Sequence, residues 1–292
     1  MNNTLFNLEP FLTSDFNVLS DLTPDRADER AAMARRIVAD LRQNQCLIIT
    51  LTEQEKALFK EGYERAREFF KNKNNKLIYG PCLHVLNVFT RKEYGYTASE
   101  SFSQVNGQRE CMTYTPAGNK KNPEKLLPHV KTDPDFDAVM NTIYRFNFSL
   151  LKSLMRGVAA GFGDNGPEYF TKYLDEYPRH RLRTLKYAGD DFIEPHVDGS
   201  FLTFLHTQSD GLSLKPYGDA NYTPVQGDME RLLVLAGSGI KEVAQHFIFP
   251  MTHKVQMEKG GEKQSFAFLG GPRGKDVDER IANGFNINYD AL

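Results

Sequence analysis

Three residues in the second half of the chain have the types and the spacing of a metal site. His196 and Asp198 are separated by one residue, and His253 follows 55 residues after Asp198. On an extended strand, residues i and i+2 point to the same face, so the imidazole and the carboxylate can converge on one ion. Two neutral nitrogens and one carboxylate on one face of an octahedron suit iron(II) and leave three positions open. We therefore predict a catalytic iron(II) site formed by His196, Asp198 and His253.

A closed structural zinc site is a poorer interpretation of the same residues. Such a site takes four ligands, usually including thiolates. The three cysteines, Cys46, Cys82 and Cys111, lack the paired spacing of zinc ligands. They are also few, odd in number and widely spaced, which favours reduced thiols over a disulfide framework. This cysteine pattern predicts a cytoplasmic protein.

The composition is that of a soluble globular protein. The 292 residues are 40% hydrophobic and 25% charged, and the formal net charge is -2. A charge so close to neutral argues against a nucleic-acid-binding protein, which usually has a basic surplus. No stretch approaches the roughly 20 apolar residues of a membrane span, and the first residues do not form a secretory signal. We expect neither a nucleic-acid partner nor a membrane partner, and we favour a monomer.

The elements that must position the metal residues change from helices to strands along the chain. Apolar spacing and capping patterns predict helices over residues 23–43, 52–70 and 133–162. A buried strand is expected at residues 46–50, and strands and loops at residues 77–130. After residue 180, short apolar or alternating runs are broken by turn residues, which is typical of strands. These runs are residues 181–187, 201–205, 212–215, 231–235, 247–249 and 264–269.

Helices followed by many short strands predict an α+β fold with a mainly β core. We expect a double-stranded β-helix (jelly roll), with a β-sandwich as the alternative, flanked by N-terminal helices and by one long central helix. With no repeat or linker in the sequence, residues 1–292 are predicted to form a single domain. Its parts would be a helix-rich region with lid strands at 1–175, the jelly-roll core with the metal site at 176–275, and a tail at 276–292.

The metal residues stand within a longer series of motifs. The series comprises Leu182-Arg183-Thr184-Leu185-Lys186-Tyr187, Leu202-Thr203, Gly211-Leu212, Gly237-Ser238 and, ten residues after His253, Lys263-Gln264-Ser265. In order and spacing it resembles the 2-oxoglutarate- and iron(II)-dependent oxygenases, in the branch that includes isopenicillin N synthase. The resemblance implies a non-haem dioxygenase that uses iron(II), 2-oxoglutarate and O2. Such an enzyme oxidises an unactivated C–H bond of a small organic molecule and releases succinate and CO2.

The resemblance also assigns the residues that would bind 2-oxoglutarate. Lys263 and Ser265 would hold its far carboxylate, Tyr187 would contact it, and Arg183 is an alternative anchor. The family has an arginine where this chain has Lys263, and lysine offers a point charge instead of a planar fork. We therefore expect weaker binding or a shifted pose of the co-substrate. Ser238 stands where the family usually has aspartate, which we interpret as a structural difference.

Substrate contacts and the reaction outcome are less closely specified by the sequence. Tyr96, Arg109 and His206 are the candidate substrate contacts, and His206 is a candidate for lining the cavity. Arg91, Lys92 and Arg109 favour a carboxylate-bearing substrate, such as an amino-acid derivative or another intermediate of natural product biosynthesis. Hydroxylation, desaturation and oxidative ring closure all use the same ligands. The retained carboxylate of Asp198 argues against halogenation, for which related enzymes vacate that position.

Two alternatives remain open at the level of sequence. The nearer one is an iron(II) oxidase with the same fold that does not use 2-oxoglutarate, as in isopenicillin N synthase. The lysine at position 263 leaves room for this alternative. The other belongs to a different class, a non-catalytic jelly-roll binding protein whose metal site is vestigial.

Overall fold

The described part of the chain contains three long helices and one short helix. The computed structural model describes residues 5–6, 27–72, 95–98, 109–114, 133–162, 169–170, 174, 180–189, 191–258 and 260–272. The helices within these ranges are α1 (Ala27–Asn44), α2 (Glu53–Lys71), α3 (Pro134–Gly161) and α4 (Ser238–Val243). None of them combines the length and the apolar character needed to cross a membrane.

Helices α2 and α3 begin at the capping residues that the sequence predicts. The Thr52 side chain accepts a hydrogen bond from the backbone N–H of Glu55, whose carboxylate accepts from the N–H of Thr52 at 2.7 Å. These reciprocal bonds satisfy two donors that would otherwise lack partners at the helix start. Asp133 caps α3 by accepting from the N–H of Phe136, and Pro134 occupies the first turn, where its missing N–H costs nothing.

Twelve strands are described, and they form two sheets. Eight lie in one sheet in the order β1-β2-β10-β7-β12-β5-β4-β3, and four lie in the other in the order β6-β11-β8-β9. This arrangement confirms the predicted α+β jelly roll. The strands are β1 (Leu5–Phe6), β2 (Cys46–Thr50), β3 (Gly95–Ala98), β4 (Glu110–Tyr114), β5 (Arg181–Gly189), β6 (Phe192–His196), β7 (Leu202–Thr207), β8 (Leu212–Lys215), β9 (Thr223–Val225), β10 (Arg231–Ala236), β11 (Thr252–Gln256) and β12 (Gly261–Gly270).

The eight-stranded sheet separates two hydrophobic clusters. One fills the space between this sheet and helices α1 to α3, and it contains Phe59 of α2 and Phe266 of β12. The other lies between the two sheets, where Tyr187 and Leu233 of the large sheet meet Leu214 of the small one. Because side chains alternate along a strand, each strand of the large sheet can contribute to both clusters. We call the face that packs against the small sheet the inner face.

Aromatic contacts fix the long helices against one another on the outer side of the large sheet. Phe69 of α2 stacks on Phe136 of α3 with ring centroids 4.5 Å apart, and Phe59 meets Phe146 edge-on at 5.9 Å. All four rings are almost completely buried. Burying such a side chain contributes about 1.5–3 kcal/mol. The helices therefore act as a rigid backing for the sheet.

Most predicted strands are confirmed, but the one at residues 247–249 is wrong. Gln245 and His246 have positive φ angles of 47° and 67°, so the chain turns just before this run. The N–H of Phe247 donates to the carbonyl of Ala244 at 2.7 Å and closes the turn. Pro250 then lacks the N–H that a ladder would need, and the strand begins only at Thr252. Of the predicted region 77–130, the structure describes β3, β4 and Arg109 alone, and the tail at 276–292 lies outside the described residues.

Candidate metal centre

His196 reaches the inner side of the small sheet because strand β6 contains a bulge. His253 of β11 pairs with His196, whereas Val255, two residues later, pairs with Ile193, three residues earlier on β6. The extra residue on β6 lets both Ile193 and His196 face inward. Pro195 lies inside this bulge, where no ladder hydrogen bond is required, and β6 is an edge strand.

The two histidines are held in the tautomer that a metal ligand requires. Nδ1 of His196 donates to the carbonyl of Glu194 at 2.8 Å, and Nδ1 of His253 lies 3.4 Å from the carbonyl of Met251. Since a carbonyl oxygen can only accept, the proton sits on Nδ1 and the lone pair on Nε2. Burial lowers the pKa of His253, although the negative charge of Asp198 acts in the opposite direction. The lowered pKa favours the neutral ring.

The third residue completes a compact set of donors. Nε2 of His253 lies 3.7 Å from Oδ2 of Asp198, and one ligand atom from each of His196, Asp198 and His253 lies within 4.8 Å of the others. Bonds to a shared ion are about 2.1 Å long, so small side-chain movements suffice to close the set around one metal. Val197, between the first two ligands, points away and is 42% exposed. The structure thus brings together all three residues of the predicted triad.

The loop that carries Asp198 is held by the chain segment that follows β10. The N–H of Ser238 donates to the carbonyl of Asp198 at 2.8 Å, and the N–H of Gly237 donates to Phe201 at 2.9 Å. The N–H of Gly239 donates to the carbonyl of Ser200, also at 2.9 Å. Ser238 therefore has a backbone role at the metal loop, in agreement with its interpretation as a structural residue.

The predicted co-substrate residues lie on the inner face, on adjacent strands. Lys263 of β12 pairs in register with Tyr187 of β5, and Ser265 pairs with Leu185. Tyr187 is buried and shares a hydrogen bond with Ser265. Arg183 lies four residues before Tyr187 on β5 and therefore points to the same face. The residues predicted to bind the co-substrate therefore form a polar group on the inner face.

Lys263 itself is engaged by the turn between β7 and β8. Its ammonium donates to the hydroxyl of Thr207 at 2.5 Å, to the carbonyl of Asp210 at 2.8 Å and to the carbonyl of Ser209. Burial lowers the pKa of Lys263 to about 8, and the charge of Asp210 opposes that shift. All three ammonium hydrogens therefore have acceptors within the protein.

Arg109 and Asp191 form a second charged group on the inner side, near Tyr187. Arg109 is 7% exposed and Asp191 is completely buried. Burial raises the pKa of Asp191, and the positive charge of Arg109 opposes the rise; the same charge acts on Tyr187. Asp191 was not among the predicted site residues, because a single acidic residue in a turn carries no spacing signal. Its neighbour Arg109 was predicted only as a substrate contact.

The remaining substrate predictions have mixed outcomes. Tyr96 lies on β3 opposite Met112, but its side chain is outside the described part of the structure, as are Arg91 and Lys92. His206 is fully buried on the other side of the sheet, stacked on Phe59 of α2 with centroids 4.0 Å apart. The prediction that His206 lines the cavity is therefore wrong. Alternation along β7 turns it toward the helices.

The buried site of His206 predicts an acid-sensitive stability. Burial lowers its pKa from 6.5 to about 4, against weaker effects of the Met229 carbonyl and Asp228. Between pH 6.5 and about pH 4 the unfolded chain binds more protons than the folded chain. The contribution of His206 to stability is therefore fully present above pH 6.5 and is lost as the pH falls below it. The loss is about 1.4 kcal/mol per pH unit. We expect the free energy of unfolding in urea to fall by about 2 kcal/mol from this residue between pH 7 and pH 5.

The His206→Gln variant isolates this contribution. It should lose about 2 kcal/mol less than the wild type over the same interval, because glutamine does not titrate. His246→Asn is the control, since His246 is exposed and asparagine tolerates its positive φ. Equal pH dependence of the wild type and His206→Gln would contradict the assignment.

Comparisons with known proteins add information on the fold. No protein-family model and no curated protein matches the sequence. A full-length Neurospora crassa protein, solved in complex with alpha-KG, has 17% identity and a TM-score of 0.71, over 95% of this chain and 90% of that chain. JOX2 in complex with 2OG, Fe and JA has 17% identity and a TM-score of 0.67, over 100% of this chain and 79% of that chain. The Arabidopsis thaliana dioxygenase for auxin oxidation, in complex with 2-oxoglutarate, has 17% identity and a TM-score of 0.66, over 85% of this chain and 91% of that chain.

Proposed function

We propose that this protein, whose fold is that of the 2-oxoglutarate- and iron(II)-dependent oxygenases, is itself such an enzyme. It oxidises an unactivated C–H bond of a small organic molecule and uses iron(II), 2-oxoglutarate and O2. The observation that carries the proposal is the arrangement of His196, Asp198 and His253. They present two imidazole Nε2 lone pairs and one carboxylate from one side of the site.

The donor set fits iron(II), and it does not fit a structural zinc site, magnesium or calcium. Three protein ligands leave open positions, whereas a structural zinc site would be closed by a fourth. Magnesium and calcium favour oxygen ligands, and two of the three donors here are nitrogens. Within the described residues, no other group of three histidine, cysteine or acidic side chains converges in this way. A bound iron(II) ion would supply the site for O2 and for the keto-acid end of 2-oxoglutarate.

The rest of the chain has three tasks in this reaction. The backbone carbonyls of Glu194 and Met251 fix the two imidazole rings, so that Nε2 remains unprotonated and directed at the metal. The apolar cluster between the sheets, with Leu214 and Val255 among its members, excludes water from the reaction. Tyr187 and Ser265 provide hydroxyl groups for the far carboxylate of the co-substrate.

The substrate is proposed to be a small organic molecule. Among the solved structures with this fold, the Neurospora crassa protein binds thymine and 5-formyluracil, and JOX2 binds JA. The basic residues Arg91 and Lys92 keep an amino-acid-derived or other carboxylate-bearing natural-product intermediate among the candidates. Hydroxylation, desaturation and ring closure remain equally compatible with the triad.

Anaerobic titration of the metal-free protein tests the proposal. Iron(II) is added first and 2-oxoglutarate second, while the visible spectrum is followed for the weak charge-transfer band of the chelate. We expect the band to appear at one equivalent of each and to be absent in the His253→Asn variant. Admission of O2 should then release succinate, slowly without substrate and faster with it.

The other outcomes point to the two alternative functions. Iron binding without a chelate band, and without succinate, would replace the proposal by an iron(II) oxidase that draws its electrons from the substrate. Absence of iron binding would indicate a non-catalytic binding protein. One observation favours the iron(II) oxidase: the ammonium of Lys263, the predicted anchor for 2-oxoglutarate, already donates to three acceptors within the protein.

A further inference from the structure

The charge that would hold the far carboxylate of 2-oxoglutarate has to be found among the residues of the inner face. Lys263 occupies the position expected from the sequence, but its ammonium donates to Thr207, Ser209 and Asp210. Turning toward a ligand would leave the buried hydroxyl of Thr207 and the carbonyl oxygens of Ser209 and Asp210 without this donor. Each unpaired buried group is costly, so Lys263 is better suited to stabilise the turn between β7 and β8.

Arg109 lies in the same row of side chains as Lys263. Glu110 pairs with Lys186 across β4 and β5, so the preceding residue, Arg109, lies beside Tyr187. Tyr187 in turn pairs with Lys263 across β5 and β12. Side chains in register on neighbouring strands point to the same face. The charge of Arg109 acts on the Tyr187 hydroxyl, which shares a hydrogen bond with Ser265.

Asp191 provides a buried counter-charge to Arg109, whose positive charge acts on its carboxyl group. It precedes β6, is 0% exposed, and neither of its carboxylate oxygens makes a well-formed hydrogen bond within the described structure. The positive charge of Arg109 and the negative charge of Asp191 act on each other within this group. A guanidinium has five N–H donors, so Arg109 can face Asp191 and also bind one carboxylate of a ligand.

We propose that the guanidinium of Arg109, backed by Asp191, binds the far carboxylate of the co-substrate together with the hydroxyls of Tyr187 and Ser265. This inference rests on the proposed use of 2-oxoglutarate. A guanidinium presents two parallel N–H donors to a carboxylate, which the ammonium of Lys263 cannot do. Arg109, immediately before β4, thereby supplies the planar fork that position 263 of β12 lacks. Asp191 acts as a positioning residue that holds the guanidinium in the row.

Ligand binding by calorimetry, with the metal site filled by manganese(II) and O2 excluded, tests the inference without turnover. The wild type is titrated with 2-oxoglutarate and with 2-oxobutanoate, which keeps the keto-acid end but lacks the far carboxylate. We expect Arg109→Gln to weaken 2-oxoglutarate binding by about 10- to 100-fold, the range for a hydrogen bond to a charged group. Binding of 2-oxobutanoate should change less than about 3-fold. The two ligands together isolate the contact between Arg109 and the far carboxylate.

Two further variants separate binding from folding. Arg109→Gln leaves Asp191 uncompensated, so the double variant Arg109→Gln/Asp191→Asn removes both charges and should recover stability without recovering 2-oxoglutarate affinity. Lys263→Met should lower the melting temperature and change the affinity for 2-oxoglutarate less than about 3-fold, because its contacts lie within the turn.

The outcomes distinguish this inference from the proposed function. If the wild type binds 2-oxoglutarate tightly, Lys263→Met abolishes that binding, and the Arg109 variants do not affect it, the inference is wrong while the proposed function stands. If the wild type binds both ligands equally, or neither, the proposed use of 2-oxoglutarate fails and this inference fails with it. Selective loss of 2-oxoglutarate binding in the Arg109 variants supports both.

Discussion

Replacing any one of the three metal residues by asparagine is expected to abolish iron-dependent turnover. His196→Asn, Asp198→Asn and His253→Asn each remove one of three protein ligands, and a weakened ion is lost to solvent. Groups that merely orient a ligand are worth about 10- to 100-fold in metal affinity, so removal of a ligand itself should cost more. We expect the bound iron, measured in protein dialysed against a weak chelator, to fall below about a tenth of an equivalent, as for an affinity loss of 10-fold or more. Succinate release should become undetectable.

Matched substitutions at a distance from the site serve as controls. Asp219→Asn makes the same chemical change as Asp198→Asn on an exposed turn after β8, and His246→Asn does so for the histidines. Both controls should keep full iron content and full activity. The ligand variants should fold, because the triad contributes little to either hydrophobic cluster. Full iron content in a folded Asp198→Asn variant would show that the ion binds elsewhere.

The positions of the metal residues could be predicted because the signal for them is local. An imidazole and a carboxylate at i and i+2 point the same way on any extended segment, so His196 and Asp198 needed no tertiary information. The third ligand, His253, was predicted from its residue type, because the sequence alone does not show which strands are neighbours. The pairing of β11 with β6 brings His253 opposite His196. The bulge at Pro195, without which the pairing would turn His196 outward, could not be read from the sequence.

Interactions between distant parts of the chain account for what the sequence did not reveal. The sequence places His206 on a strand near the metal residues but does not say which face it occupies, and one residue of register decides that. The acceptors of Lys263 likewise lie on a turn more than 50 residues away, at Thr207 and Asp210. The positive charge at position 263 predicted an anchor, whereas the local hydrogen bonds favour a structural role. Burial and register are properties of the folded sheet, so the face that His206 occupies and the acceptors of Lys263 became evident only in the structure.

Gly237→Ala is expected to weaken iron binding at least about 10-fold, although residue 237 is not a ligand. This is the size of effect that follows when a group that orients a metal ligand is disturbed. A Cβ at this position would lie 2.1 Å from the carbonyl oxygen of Ser200 and 3.1 Å from that of Asp198. Both are backbone atoms, so the added methyl group cannot be accommodated by a side-chain rotation. The φ of Gly237 is -102°, an ordinary value, so the effect arises from the close approach and not from backbone strain.

Gly237→Ala should disturb the hydrogen bonds between the segment after β10 and the loop that carries Asp198. Gly237, Ser238 and Gly239 donate to Phe201, Asp198 and Ser200 respectively, so a forced separation weakens three bonds at once. We expect a loss of about 1–3 kcal/mol in the free energy of unfolding, as for other overpacked sites. The added methyl group would push the loop that carries Asp198 away from His253. Iron affinity would fall because the carboxylate of Asp198 would be displaced. Iron titration and urea unfolding of the same preparation measure both effects.

Gly260→Ala is the matched control, because it also costs stability without touching the metal loop. Gly260 has a φ of 75°, which disfavours alanine, but an added Cβ would have nothing within 4 Å. The strain should cost about 1–2 kcal/mol and leave iron affinity unchanged. Equal loss of iron affinity in the two variants would mean that general destabilisation, and not displacement of Asp198, controls the site. A loss confined to Gly237→Ala would show that the glycine after β10 is required because the metal loop packs directly on its backbone.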